Sequence, residues 1–376
     1  MKIPIAALME AVDTVSIVPQ RPGVTSSEFM KLKLVKDKLT LFLASDVIGV
    51  SSATTEPANG EKWEFFVDRA MLVPFLNPSK GTNAVLDLKI VDTQLHVKAG
   101  RRLAKFHAPA EVVKGYGVAP DATESPMKFE VADVAYLKLA AKYTNQDALK
   151  PELTSISVGS KGIIAAQSTL YFHVKHKMKV TGYVPPMFPE LLKGDDFKVS
   201  SSGSGMRVSY PTGYVYQLLN DSVSKGFPQE AILRNLLEAQ KMEVRFTVFA
   251  YRMNDVFTRL RGYVGAVGSG GNNVAITGAI GDKLIRLQVK APQAHFDETL
   301  QLTEPLTTAV DETIHLEWLL PFLEYLALDR ANKVLVRWND ASPLVHYTDQ
   351  SGVITLAHGR FANDPATTKK TKKKAA

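Results

Sequence analysis

A single pattern, met three times, restricts this chain more than any other feature. A helical stretch, a run of strands, an amphipathic helix and a second run of strands follow one another at a period of about 120 residues. The opening helices are read at 4–15, 131–143 and 249–264. An apolar or alternating strand ending in small polar residues follows each: 39–46 (LTLFLASD), 162–169 (GIIAAQST) and 273–280 (NVAITGAI). A unit of this kind hides its apolar helix faces only against a sheet, and repeated units can join end to end into a curved or closed array.

The second helices are expected at 69–80, 184–194 and 316–329. Their apolar residues recur at helical spacing: Leu72, Phe75 and Leu76; Met187, Leu191 and Leu192; Leu319, Phe322, Leu323 and Leu326. Pro74 and Pro189 lie inside the first two and should shorten or kink them. Strand-rich sequence follows each helix, at 84–97, 197–219 and 333–356, broken by turn residues such as Asp92-Thr93-Gln94 and Asp349-Gln350-Ser351-Gly352. Strands outnumber helices, and two helices per repeat suffice to cover one sheet face, so the fold class is α+β. The expected boundaries give domains at 1–121, 122–242 and 243–362, and the Lys-rich remainder, 363–376, is expected to be a disordered tail.

Composition narrows the function classes. There is no cysteine in the 376 residues, which excludes disulfides and thiolate chemistry. No apolar run is long enough to span a bilayer, and the N-terminus lacks the regions of a signal peptide, so a cytoplasmic protein without a membrane partner is expected. The formal charge is +7, but Lys369, Lys370, Lys372, Lys373 and Lys374 all sit in the tail, so the body is only weakly basic. The sequence holds no Gly-x-x-x-x-Gly-Lys-Ser/Thr, His-Glu-x-x-His or Gly-x-Ser-x-Gly. His173 and His176, the one close histidine pair, would point to opposite faces of a strand and could not share a metal. No catalytic, metal or cofactor site is therefore expected.

Basic residues do collect on two of the opening helices. Lys138 and Lys142 are four apart on one face, and Arg252, Arg259 and Arg261 lie on or near the third repeat's helix. The first repeat's helix carries Glu10 and Asp13 instead. Aromatic residues are not interleaved with these helix charges, which argues against a platform for stacking single-stranded bases there.

Several local motifs, in order along the tripled pattern, resemble the bacterial DNA polymerase III β subunit, the sliding clamp. Arg21-Pro22 resembles the Arg-Pro after that family's first helix, and Ser45-Asp46-Val47 stands where the family has Thr-Asp-Leu. Gly100-Arg101-Arg102 and Ala108-Pro109-Ala110-Glu111 resemble the end of its first domain, and Asn145-Gln146-Asp147 its His-Gln-Asp. Gly226-Phe227-Pro228, followed by Ile232 and Leu233, resembles the Gly-Arg-Phe-Pro run that leads from its second domain into its third. The resemblance covers the chain up to the tail. Thr169-Leu170-Tyr171 stands where the family has Gly-His-Arg, and residues 357–361 replace its Met-Pro-Met-Arg-Leu ending, which marks a divergent clamp of the kind a phage encodes.

The resemblance implies three clamp domains closing head to tail with a second copy into a ring, a processivity factor that encircles double-stranded DNA without reading its sequence. It implies a DNA polymerase and a clamp-loader ATPase as partners, and residence in the bacterial cytoplasm or nucleoid, or a phage's host. The residues it assigns to the pore are Arg21, Lys138, Lys142, Gln146, Arg252 and Arg259. To a pocket for short apolar partner peptides it assigns Leu153, Leu170, Tyr171, Phe172, Pro228, Ile232, Leu233, Ser342, Leu344, Leu356, His358 and Arg360. Leu103, Phe106, Tyr263 and Val264 are the expected subunit contacts. A clamp-fold platform that recruits transcription or repair proteins, with no main role in replication, is the alternative.

Overall fold

Alternation of side chains builds the sheets. In strands β2 (Phe29–Val35) and β3 (Lys38–Ala44), Met30, Leu32, Leu34, Leu39, Leu41 and Leu43 are fully buried, and the residues between them face the other side. Helix α1 (Ile5–Val15) covers the leucine face, with Ile5, Leu8, Val12 and Val15 buried at helical spacing. The structure, a computed structural model, describes residues 1–18, 20, 25–45, 48–57, 60–109, 125–127, 130–145, 150–179, 181–184, 186, 188–191, 197–202, 205–218, 226–267, 272–291, 294–339 and 343–360. The chain divides into two compact units, Met1–Val134 with Val180–Lys225, and Ala135–Lys179 with Gly226–Ala376.

The first unit holds two antiparallel sheets. One runs β1 (Lys2–Pro4), β6 (Val85–Val91), β7 (Gln94–Ala99), β8 (Arg102–His107). The other has eight strands in the order β5 (Lys62–Asp68), β2, β3, β4 (Ile48–Thr55), β16 (Gly213–Leu218), β15 (Gly205–Tyr210), β14 (Phe197–Ser202), β9 (Ser125–Met127). A short strand, β13 (Gly182–Val184), also falls in this unit's segments. In the second unit, seven strands run β10 (Ile156–Gly159), β11 (Gly162–Gln167), β12 (Leu170–Val174), β24 (Ile354–Gly359), β23 (Leu344–Asp349), β22 (Lys333–Arg337), β17 (Val244–Phe249). This unit also holds a four-stranded sheet, β20 (Ala294–Gln301), β19 (Leu284–Ala291), β18 (Asn273–Gly278), β21 (Val310–His315).

The repeat seen in the sequence is visible in these orders. The succession β5-β2-β3-β4 recurs as β21-β18-β19-β20, and β10-β11-β12 takes the corresponding places in between. The succession β1-β6-β7-β8 recurs as β9-β14-β15-β16 and as β17-β22-β23-β24. Two seams join one kind of half-sheet to the other, β4 to β16 and β12 to β24, in equivalent positions.

Among the remaining helices, α2 (Arg69–Leu76), α3 (Val131–Ala141), α5 (Ala250–Val267) and α6 (Leu316–Leu326) lie where periodicity placed them. Of the helix expected at 184–194, the described residues show one turn, Phe188–Leu191, with 185, 187 and 192–194 outside the described residues. Pro185, Pro186 and Pro189 oppose a longer helix, since proline withholds the amide hydrogens that it needs. Helix α4 (Gln229–Gln240), with Ile232, Leu236 and Ala239 buried, was not expected from the sequence. No helix of the described residues is long and apolar enough to cross a membrane.

The β4–β16 seam requires glycine. A Cβ on Gly213 would stand 2.0 Å from the backbone oxygen of Ser51. Gly213→Ala must spread the strands and should cost on the order of 3 kcal/mol. Gly262, in the interior of α5, has nothing within 4 Å of the corresponding position. Gly262→Ala should stabilise by about 0.5–1 kcal/mol. Urea unfolding of the two variants beside the parent checks both signs.

Candidate functional site

The residues expected to bind partners lie in the second unit, where the β12–β24 seam sorts them. Leu170 opposes His358 and Phe172 opposes Leu356 in register, so all four side chains share one face. That face is the core face. Leu170, Phe172, Leu356 and His358 are 1%, 0%, 0% and 0% exposed. Tyr143, just past α3, stacks on Phe172 with ring centres 4.8 Å apart, and Trp318 of α6 lies 5.6 Å from His358. These four, expected in a partner-peptide pocket, are turned inward beneath two helices by strand alternation. Tyr171, between them in sequence, faces the other side and is half-buried.

On that other side lies α4. Ser157, Ile164 and His173 share this face through the β10–β11–β12 register, and the Ser157 hydroxyl donates to Gln229 Oε1 (3.4 Å) at the helix start. Lys161 pairs with Glu230, and Lys175 Nζ donates to Gln240 Oε1 (3.0 Å) at the helix end. Between helix and strands runs a cleft of about 530 Å³ whose apolar wall is Leu233, Leu236 and Leu237, flanked by His173, Arg234 and Lys241. Leu237 is 56% exposed. Of the expected pocket residues, Leu233 enters this cleft, Ile232 is buried beneath the helix, and Pro228 is exposed at its start.

Leu344 and Arg360 lie beside the same seam, where Leu344 opposes Gly359 in register and the Gly359 N–H donates to Thr169 O at 2.9 Å. Leu153 and Leu344 are buried, and the backbone N–H of Arg360 donates to Pro343 O at 2.7 Å. The Arg360 guanidinium is held by the buried Glu312 carboxylate (2.7 Å) and by Asn339 O (2.9 Å). Ser342 lies outside the described residues.

Histidines mark the core behind the seam. The carbonyl of Gly359 can only accept, so His358 Nδ1 donates to it (2.9 Å), and His358 Nε2 accepts from the Tyr347 hydroxyl (3.0 Å). Burial holds the His358 ring down to about 4, with His315 adding repulsion. Burial and the neighbouring His358 and Arg337 bring His346 to about 4 as well, and neither nitrogen of His346 has a hydrogen-bond partner among the described residues.

Of the expected pore residues, Lys138 and Lys142 are exposed on or just past α3. Arg259 is engaged by both oxygens of Glu298 (3.1 and 3.2 Å), and the neighbouring Arg261 lies 3.3 Å from Glu317. Arg252 donates to Gln301 Oε1 (2.9 Å) and lies over Phe249. The arginines of α5 are thus neutralised or occupied locally, which the sequence pattern did not show. Arg21 and Gln146 lie outside the described residues.

The expected subunit contacts fall at two sheet edges, one in each unit. β8 ends the first unit's four-stranded sheet, with Leu103 52% exposed and Phe106 turned to the core against Phe75. β20 ends the second unit's, and Tyr263 of α5 stacks flat on its Phe296 at 4.5 Å. Val264 is buried.

No protein-family model matches the chain, and no curated protein matches its sequence. Solved structures do. A DNA polymerase sliding clamp from Caulobacter crescentus superposes with a TM-score of 0.75 at 13% identity, covering 96% of this chain and 99% of that one. The DNA polymerase III subunit beta from Pseudomonas aeruginosa gives 0.72 at 13%, covering 96% and 100%. The Helicobacter pylori beta clamp, solved bound to a DNA ligase peptide, gives 0.70 at 14%, covering 96% and 99%. This chain has the sliding-clamp fold. Against that fold, sequence reasoning missed α4 and its cleft, although Ile232, Leu236 and Ala239 carried a helical period, and it missed β20 as an edge.

The histidines give the clamp core a pH dependence of defined sign. Folded values near 4 against an ordinary 6.5 mean that the unfolded chain takes up protons first. Their contribution is complete above about pH 6.5 and is lost as pH falls from there toward 4, on the order of 3 kcal/mol for each ring. Urea midpoints measured between pH 7.5 and 4.5 should fall in this window, and His358→Phe should flatten the curve.

Proposed function

We propose that this chain is a DNA sliding clamp, a processivity factor that encircles double-stranded DNA and tethers a DNA polymerase without catalysis of its own. One observation carries the reading. Within the chain, half-sheets join at β4–β16 and β12–β24, and the equivalents of these strands, β20 and β8, are the two left at open edges. Pairing β20 of one copy with β8 of another repeats the same seam and closes two chains head to tail. The edges suit one another, since Phe106 and Phe296 both lie on helix-covered faces, and Lys105 of β8 and Asp297 of β20, the latter paired with Arg286, lie on the opposite ones.

Closed in this way, three domains from each copy, 1–121, 122–242 and 243–362, make a ring. Lys138 and Lys142 then supply phosphate contacts that carry no sequence information, so the ring slides, with Arg21, Gln146, Arg252 and Arg259 as further pore residues. Retention comes from topology more than from charge, which fits a body that is nearly neutral. A loader ATPase supplies the energy of opening, and the cleft beneath α4 receives apolar segments of the polymerase and other partners. The setting is a bacterial cytoplasm or nucleoid, or the host cytoplasm for a phage clamp.

Retention on nicked circular DNA after loading tests this. The parent should stay bound until the circle is linearised. Leu103→Asp with Tyr263→Asp should abolish retention while the chain remains folded. Leu233→Asp with Leu237→Asp should leave retention intact and lower polymerase tethering at least about tenfold. Equal loss from linear and circular DNA would contradict encirclement.

A further inference from the structure

In the first unit, the sheet face opposite the helix-covered leucines carries rings and cations. Register aligns Phe66, Lys31, Phe42, Ser51, Tyr214, Ser209 and Lys198 in one row across seven adjacent strands. At about 4.8 Å per strand the row extends roughly 29 Å. The next row adds Tyr216 and Arg207, and Lys33 and Lys38 stand on the same face. Tyr216 is itself buried, 1% exposed: it lies flat over Gly49, where a Cβ would meet its ring at 2.3 Å, and backs Phe42 and Tyr214 with centres 6.3 Å from each. The Arg207 guanidinium covers Tyr214 at 4.3 Å.

The charge of this face is one-sided. Lys31, Lys33, Lys38, Lys62, Lys198 and Arg207 share it. On strands β5, β2, β3, β4 and β16 the described carboxylates of this face are Glu64, paired with Lys31 at 2.9 Å, and Asp68, which caps α2 through Ala70 N at 2.7 Å. Beside Tyr214 the surface opens into a cleft of about 590 Å³ lined by Lys38, Lys198, Arg207, Ser51 and Ser209. The fold does not demand such a face. Its equivalent in the second unit is covered by α4 and closed, with Ile164, Ala166, His346 and Thr355 at 0–1% exposure.

We infer that this sheet face binds single-stranded nucleic acid, with bases stacking on Phe42 and on the Arg207 guanidinium that covers Tyr214, and phosphates paired by Lys198, Lys33 and Lys38. Rings between cations match a polymer whose π faces alternate with negative charge, and a duplex offers no such faces because its bases are stacked on one another. An acidic peptide would use the cations and leave the rings unused.

The test is fluorescence anisotropy of a labelled oligothymidylate 20-mer with the full chain at low salt, beside a duplex of equal length. The single strand should bind more tightly than the duplex. Tyr214→Ala should weaken it roughly 5- to 150-fold, the range for removing the ring under one stacked base. Lys198→Glu with Lys33→Glu should weaken it further and reduce the salt slope by about 0.7 for each phosphate no longer neutralised. Lys283→Glu with Arg330→Glu, both exposed and both in the second unit, should change it little. Thermal melts establish that each variant is folded. Photo-crosslinking of a bromouracil-substituted strand should label peptides from 197–218 or 29–44. Affinity unchanged by Tyr214→Ala in a folded variant, equal affinity for duplex, or crosslinks confined to other segments would each overturn the inference.

Discussion

Backbone hydrogen bonding at the edge of a sheet is the constraint on which this molecule is built. A strand with no neighbour leaves a row of amides and carbonyls that need water or a partner. Twice within the chain that need is met in the same way, when the last strand of one half-sheet is laid against the third strand of the other kind of half-sheet. Gly213, at the first of these seams, shows how closely the backbones approach. Among the described residues, three copies of each half-sheet and two internal seams leave one edge of each kind, β8 and β20, and the assembly proposed above rests on that count.

The helices are subordinate to the sheets. Each buries one stripe on a leucine-rich or valine-rich face, and their outward residues are of mixed sign: Glu10 and Asp13 on α1, Lys138 on α3, Arg259 and Arg261 paired with Glu298 and Glu317 near α5. Five of the chain's lysines are in the last eight residues, and Lys31, Lys33, Lys38, Lys62, Lys198 and Arg207 share one sheet face of the first unit.

Much of the fold was legible in the sequence because it is local. The period of Leu319, Phe322, Leu323 and Leu326 marks α6, and the alternation of Leu39, Leu41 and Leu43 marks β3. In the expected helix at 184–194, three prolines oppose three well-spaced apolar residues, and the described residues show one turn. The partner pocket was read less well, for a physical reason. Leu170, Tyr171 and Phe172 are consecutive, but in a strand consecutive residues belong to opposite surfaces, and burial under Tyr143 and Trp318 depends on helices far away in sequence. The ring-and-cation row was illegible altogether, since its members come from segments 31–66 and 198–214, and only strand register aligns them.

The central claim is that β8 and β20 are complementary halves of a third seam. Sedimentation equilibrium of the full chain at micromolar concentration tests it most directly. The account predicts a mass twice that of the 41.2 kDa chain, falling to one chain when Leu103 and Tyr263 are both replaced by aspartate. A single-chain mass for the parent at that concentration would contradict it.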